Sequence, residues 1–177
     1  MGINEIKRMV YAMRNGVAAD VLRRGGAPYR MIFGVNLPQL AEIAKEIGAS
    51  VETADQLWAD SGVRESLLLA TMVHPVAEMS REKALLWLEQ APSVEVVDVL
   101  CHRQLRHTAF ASELAAMLSN SDGDMQRYAA LRLYFNLLPE HQADARVAAQ
   151  KELDRSVPLT RMIAATLIDE LDFIAGQ

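Results

Sequence analysis

The sequence has one cysteine, Cys101, and few aromatic residues, which make up 6% of the chain. A single cysteine excludes both an intrachain disulfide and a thiolate-based zinc site, and we expect Cys101 to be a small buried hydrophobic residue. Strands favour aromatic and β-branched residues, so the scarcity of aromatics and the abundance of alanine and leucine favour helices. No apolar run approaches the roughly 18 residues that a membrane-spanning helix needs, so we expect no membrane partner.

Recognised catalytic and metal-binding motifs are also absent. The sequence contains no phosphate-binding loop, dinucleotide fingerprint, zinc-protease helix or nucleophile elbow. Its four histidines are not spaced with carboxylates in the way of metal ligands, so we expect neither a metal nor a cofactor. The first five residues lack the charged and then apolar pattern of a signal peptide, and a cytoplasmic location is the default expectation.

Charge is distributed unevenly along a chain whose net charge is −5. Residues 1–37 contain six basic and two acidic side chains, whereas residues 38–97 contain four basic and ten acidic ones. The acidic balance argues against a protein that coats nucleic acid generally. The basic N-terminal region could still contact phosphates, although for any single run of this kind a solvated helix face is the favoured interpretation.

Apolar residues recur at helical spacing almost throughout the chain, beginning with Ile3, Ile6, Val10 and Met13. The spacing predicts ten or eleven helices, over residues 3–13, 17–22, 39–47, 53–60, 63–73, 81–90, 94–106, 109–118, 124–138, 142–154 and 159–174. Helical hairpins recur every 30 to 40 residues or so, the period of HEAT-like repeats. We therefore predict an all-α fold, a HEAT-like solenoid of antiparallel helix pairs forming one domain over residues 1–177; a compact helical bundle is the alternative.

Asp98 lies within a run of valines, an unusual setting for a carboxylate because burying it unpaired would cost several kcal/mol. On a helix, Glu95, Asp98, His102 and Arg106 form one polar stripe. Asp98 could be an exposed residue that pairs with His102, and helical spacing alone favours this interpretation. Alternatively, Asp98 faces a ligand while Arg103 or Arg106 approaches the ligand's phosphates.

Several segments resemble, in order, the AlkD-type DNA alkylation repair family. They are Arg30–Pro38 (RMIFGVNLP), Ile43–Glu46 (IAKE), Leu57-Trp58, Ser61–Ala70 (SGVRESLLLA), Trp87, the Asp98 segment with Cys101, and Arg127-Tyr128-Ala129. The resemblance covers residues 8–170 or so. Each motif is moderately specific, and their shared order and spacing carry the resemblance.

The resemblance implies a HEAT-like solenoid that binds double-stranded DNA on a concave basic face and removes cationic N3- or N7-alkylated purines. In this alignment Asp98 takes the place of the family's catalytic aspartate, which stabilises an oxocarbenium-like sugar. Arg127 falls in the family's arginine-rich helix start, and Arg161 in a corresponding place near the end. Both would then be DNA-binding residues, together with Arg103 and Arg106.

The sequence departs from the family at the residues that would surround the lesion. Val94 and Thr166 occupy positions where active members have tryptophans, whose rings favour cationic groups. Tyr128 and Tyr134 are candidate replacements. Two functions are therefore open: an alkylpurine DNA glycosylase with a degenerate active site, or a non-catalytic helical-repeat module that binds a protein partner or altered DNA.

Overall fold

The computed structural model describes residues 1–176, which contain eleven α-helices and no strand. The helices are α1 (Ile3–Ala12), α2 (Gly16–Arg24), α3 (Leu37–Ile47), α4 (Val51–Ala59), α5 (Arg64–Val73), α6 (Arg81–Gln90), α7 (Val94–Arg103), α8 (Ala111–Ser119), α9 (Asp124–Leu137), α10 (Gln142–Arg155) and α11 (Pro158–Ala175). Two single 3₁₀ turns, Val76–Glu78 and Leu105–His107, interrupt the connections. Within residues 1–176, no helix has both the length and the apolar character needed to cross a bilayer.

The all-helical prediction is confirmed, and the helix ends fall within three residues of the predicted ones. The largest difference, three residues, affects the site: α7 was predicted to continue to Arg106 but ends at Arg103. Gln104 is the C-cap of α7, and the following 3₁₀ turn places the Leu105 side chain fully in the core. Arg106 therefore does not continue the polar stripe of α7, and that part of the prediction was wrong.

The chain divides into two compact units, unit 1 (residues 1–79) and unit 2 (residues 80–177). In unit 1, α5 packs against α3 and α4 and is buried along most of its length. In unit 2, α9 packs against α6, α7, α8, α10 and α11. Helix α9 is therefore the central element of unit 2, and its side chains reach residues from several other helices. That residues 1–177 form a single domain stays a prediction.

A buried carboxylate in unit 1 holds the backbone of the Arg30–Pro38 segment (RMIFGVNLP) in place. Glu65, which is 0% exposed, accepts hydrogen bonds from the backbone N–H groups of Phe33, Gly34 and Val35 at 3.1, 2.9 and 3.3 Å. Arg64 Nη1 lies 2.9 Å from both the Val35 carbonyl oxygen and Glu65 Oε1. Gly34 has a φ of +77°, and a Cβ there would lie 2.2 Å from the Asn15 carbonyl oxygen. The segment is thus a structural element that fixes a loop to α5.

Candidate functional site

Asp98 lies in the middle of α7, with 35% of its side chain exposed. Its Oδ1 atom accepts a hydrogen bond of 2.9 Å from the Tyr128 hydroxyl and one of 2.7 Å from Arg132 Nε. Tyr128 and Arg132 are four residues apart on α9 and therefore share one face of that helix. Asp98 does not pair with His102, as helical spacing alone had favoured, but with residues from a second helix.

Arg132 holds the carboxylate from a fixed position. Its guanidinium lies 6.0 Å from the centroid of the Tyr128 ring and 5.8 Å from that of Phe135, and its Nη2 donates to the Tyr128 hydroxyl at 3.3 Å. Burial raises the pKa of the Tyr128 phenol, and the neighbouring negative charge of Asp98 contributes to the rise. The phenol therefore stays protonated at neutral pH and donates a hydrogen bond to Asp98.

The second carboxylate oxygen of Asp98, Oδ2, differs from Oδ1 in its hydrogen bonding. Among the interactions of residues 1–176, Asp98 Oδ2 accepts no hydrogen bond, while Oδ1 accepts both. Because both protein donors bind a single oxygen, the carboxylate is oriented and keeps the acceptor sites of its other oxygen for an external group.

An open pocket of about 420 Å³ lies beside this cluster in unit 2. Helix α9 supplies its polar wall through Tyr128 and Arg132, and helix α11 supplies an apolar wall. The α11 residues are Pro158, Leu159, Met162, Ile163 and Thr166. Its volume is within the usual range for small-molecule sites. The pocket therefore joins an apolar surface to two of the groups that hold Asp98.

Val94 and Thr166 both line this pocket. The two positions at which the resemblance places tryptophans thus face one cavity, although aliphatic and hydroxyl side chains occupy them here. Thr166 donates its hydroxyl to the Met162 carbonyl oxygen at 2.9 Å, so its polar group is engaged by its own helix. Of the two candidate replacement aromatics, Tyr128 lines the pocket, whereas Tyr134 is buried and does not.

Arg127 has a different environment from the predicted one. It is only 5% exposed, and its guanidinium donates to the carbonyl oxygens of Ser121 and Asp122 and to the Asp124 carboxylate. Its Nε lies 3.0 Å from Glu152 Oε1, close enough for an ion pair although not aligned for a hydrogen bond. Burial and these partners give the guanidinium a structural role and argue against the predicted contact of Arg127 with DNA.

We expect Arg127→Met to change stability rather than DNA affinity. The substitution leaves Glu152, which is 2% exposed, without one of its cationic partners and should lower the free energy of unfolding by about 2–3 kcal/mol. Urea denaturation followed by circular dichroism measures this change. A variant that keeps wild-type stability and loses DNA affinity would show that Arg127 contacts DNA after all.

The three other predicted DNA-binding arginines do not form one cluster. Arg103 is exposed but lies five residues after Asp98, which turns it about 140° around α7. Arg106 lies in the 3₁₀ turn, where its Nε is 3.1 Å from His107 Nε2. Arg161 is exposed between two α11 residues that line the pocket, Leu159 and Met162. Of these three arginines, Arg161 is the one that lies beside pocket residues in the sequence.

Sequence reasoning missed Arg132, whose Nε lies 2.7 Å from Asp98 Oδ1. The available signal was the spacing of Tyr128 and Arg132, which places both on one face of α9. It did not reveal which helix that face contacts.

The prediction that Cys101 is a buried hydrophobic residue is confirmed, since its side chain is fully buried and burial raises the pKa of its thiol.

Comparison with known proteins adds two findings. The family model described as DNA alkylation repair enzyme matches residues 6–175. A solved structure from "a new family of proteins related to the HEAT-like repeat DNA glycosylases with affinity for branched DNA structures" superposes with a TM-score of 0.81 at 19% identity, covering 94% of this chain and 74% of that chain. Comparison with curated protein sequences gave no significant match. The predicted HEAT-like all-α fold is confirmed.

Proposed function

Because this chain belongs to the DNA alkylation repair enzyme family over residues 6–175, we propose that it binds double-stranded DNA at the unit 2 pocket and excises cationic N3- or N7-alkylated purines. One observation carries the proposal: Asp98, held through Oδ1 by Tyr128 and Arg132, lies beside residues that line an open pocket and keeps Oδ2 for an external group.

The chemistry requires little more than a placed negative charge. An alkylated purine cation leaves with the electron pair of its glycosidic bond and becomes neutral, while the sugar becomes an oxocarbenium ion. Asp98 would stabilise that ion electrostatically through Oδ2. Water then adds to the sugar carbon and releases a proton, giving an abasic site. The balance of atoms and charge needs no cofactor.

Arg132 has two opposing effects on this chemistry. At an effective dielectric of about 20, a carboxylate 4 Å from the oxocarbenium contributes roughly 4 kcal/mol, and a guanidinium a few ångströms farther away offsets part of it. The same guanidinium fixes the carboxylate, so no side-chain entropy is lost when the sugar approaches. We therefore expect slow but real excision.

Unit 2 arginines with exposed or half-exposed side chains would supply phosphate contacts. Arg161 has no carboxylate partner within residues 1–176 and is the primary candidate, followed by Arg106. A contact from Arg103 requires DNA to reach another side of α7. Because each neutralised phosphate releases counterions, affinity should fall steeply with salt.

The test combines a binding titration with a base-release assay. Anisotropy of a labelled duplex, followed from 50 to 200 mM salt, should show log affinity falling linearly with log salt, and Arg161→Gln should reduce the slope by about one. Arg146→Gln is the matched control, because Arg146 is an exposed unit 2 arginine that pairs with Asp172. Excess enzyme should release 7-methylguanine or 3-methyladenine from methylated DNA.

Absence of base release at high enzyme excess would remove the excision step from the proposal. Absence of duplex binding at 50 mM salt would remove DNA binding as well and would favour a protein partner. Equal losses for Arg161→Gln and Arg146→Gln would show that the pocket side is not the DNA-binding side.

A second function, binding of branched DNA without excision, is favoured by a specific observation. Val94 and Thr166 give the pocket no aromatic ring from α7 or α11 that could favour a cationic base. The structurally similar protein is described as related to glycosylases and as having affinity for branched DNA structures. Tighter binding to a four-way junction than to a duplex, without any base release, would identify this function.

A further inference from the structure

We propose that unit 1 carries a second nucleic-acid site, which binds a single-stranded DNA segment. The site is an open groove of about 520 Å³, called here the α1–α2 groove, lined by Arg14, Gly16, Arg23 and Phe33 among others. The inference rests on the proposed DNA binding, but it concerns residues that belong to a different unit from the Asp98 pocket.

The rim of the α1–α2 groove has aromatic and cationic groups in direct contact. Tyr11 is 54% exposed, and its ring meets the Phe33 ring edge to face, with centroids 6.2 Å apart. The Arg14 guanidinium lies 3.9 Å from the Tyr11 centroid, and its Nη1 donates to the Tyr11 carbonyl oxygen at 3.0 Å. Within residues 1–176 this is the one hydrogen bond that the guanidinium donates.

The second arginine of the groove is fixed in place as well. Arg23 donates to Asp20 at 2.9 Å through Nη1 and to the Ile32 carbonyl oxygen at 3.0 Å through Nη2. Asp20 offsets one of the two guanidinium charges, so the groove stays positive. Both arginines are held before any ligand arrives, which reduces the entropy that binding a phosphate would cost.

This combination favours single-stranded over double-stranded DNA. Duplex DNA presents its phosphates outward and hides the faces of its bases, so an exposed aromatic ring beside a guanidinium gains little from it. Single-stranded segments offer phosphates together with unstacked base faces, and proteins bind them with basic grooves interleaved with aromatic side chains. Tyr11 and Phe33 would contact bases while Arg14 and Arg23 contact the backbone.

The test uses the full chain with labelled (dT)20, a forked duplex with a dT arm, and a blunt duplex. The variant Tyr11→Leu combined with Arg14→Gln should weaken binding to (dT)20 and to the fork about tenfold, since a lost base stack alone has an effect of that order. Binding to the blunt duplex should change by less than about twofold. Photocrosslinking of 5-iodouracil-substituted (dT)20, read by mass spectrometry, should label the peptide that contains Tyr11.

Arg81→Gln is the matched control, because Arg81 is an exposed unit 2 arginine whose guanidinium lies 5.5 Å from the Phe110 ring centroid. The inference is overturned if wild-type protein does not bind (dT)20, if the double variant binds it like wild type, or if Arg81→Gln weakens it equally. Wild-type protein that binds the duplex but not (dT)20 contradicts this inference alone. Wild-type protein that does not bind the blunt duplex contradicts the proposed function instead.

Discussion

Replacement of Glu65 by alanine should lower the free energy of unfolding by about 3–5 kcal/mol, because it breaks a buried ion pair and leaves the remaining charge uncompensated. The Glu65 carboxylate accepts three backbone N–H groups, and Arg64 Nη1 lies 2.9 Å from its Oε1 atom. Chemical denaturation followed by circular dichroism measures the loss. Residues 33–35 should also exchange their amide protons faster in the variant.

Two further variants make this prediction sharp. Glu65→Gln keeps one acceptor oxygen but loses the charge, so it should fold with an intermediate loss even if the alanine variant does not fold. Glu52→Ala is the control, because Glu52 is an exposed acid on α4 that accepts a hydrogen bond from Gln56 of the same helix, and its removal should change stability by less than about 0.5 kcal/mol. Equal denaturation midpoints for Glu65→Ala and Glu52→Ala would contradict the prediction.

The helices were predictable from the sequence because their ends are encoded locally. Ser80, predicted to begin α6, accepts the Lys83 backbone N–H at 3.1 Å. Asn36 and Gln39 exchange hydrogen bonds at the start of α3, and Pro38 lies in its first turn, as expected for a first-turn proline. Such signals involve residues three or four positions apart, and sequence alone contains them.

The partners of the site residues were not predictable, because they lie on other helices. Asp98 and Arg132 are 34 positions apart and meet only because α7 packs on α9. Arg127 was placed correctly at the start of a helix, but Glu152 of α10 ion-pairs with its buried side chain. Periodicity predicts which face a residue lies on, whereas the neighbouring helix decides whether an arginine meets solvent or a carboxylate.

If base release is observed, Asp98→Asn should reduce its single-turnover rate at least about 100-fold while duplex affinity changes by less than about threefold. Losses of this size follow the removal of one preorganised group that stabilises transition-state charge. Asparagine keeps the size of aspartate and can keep its carbonyl oxygen toward Tyr128 and Arg132, so the change removes mainly the negative charge. High-performance liquid chromatography of the released bases measures the rate.

The control for this substitution is Glu95→Gln, which neutralises the other acid of α7, three residues before Asp98. Its rate should stay within about twofold of wild type. A rate for Asp98→Asn within threefold of wild type would show that the excision does not depend on the Asp98 charge. Asp98→Asn also leaves the charge of Arg132 uncompensated beside the pocket, even where the hydrogen bond is kept, and this charge should further oppose a cationic base. Loss of the Asp98 charge and repulsion by Arg132 both lower the excision rate, so the predicted loss of about 100-fold is a lower bound.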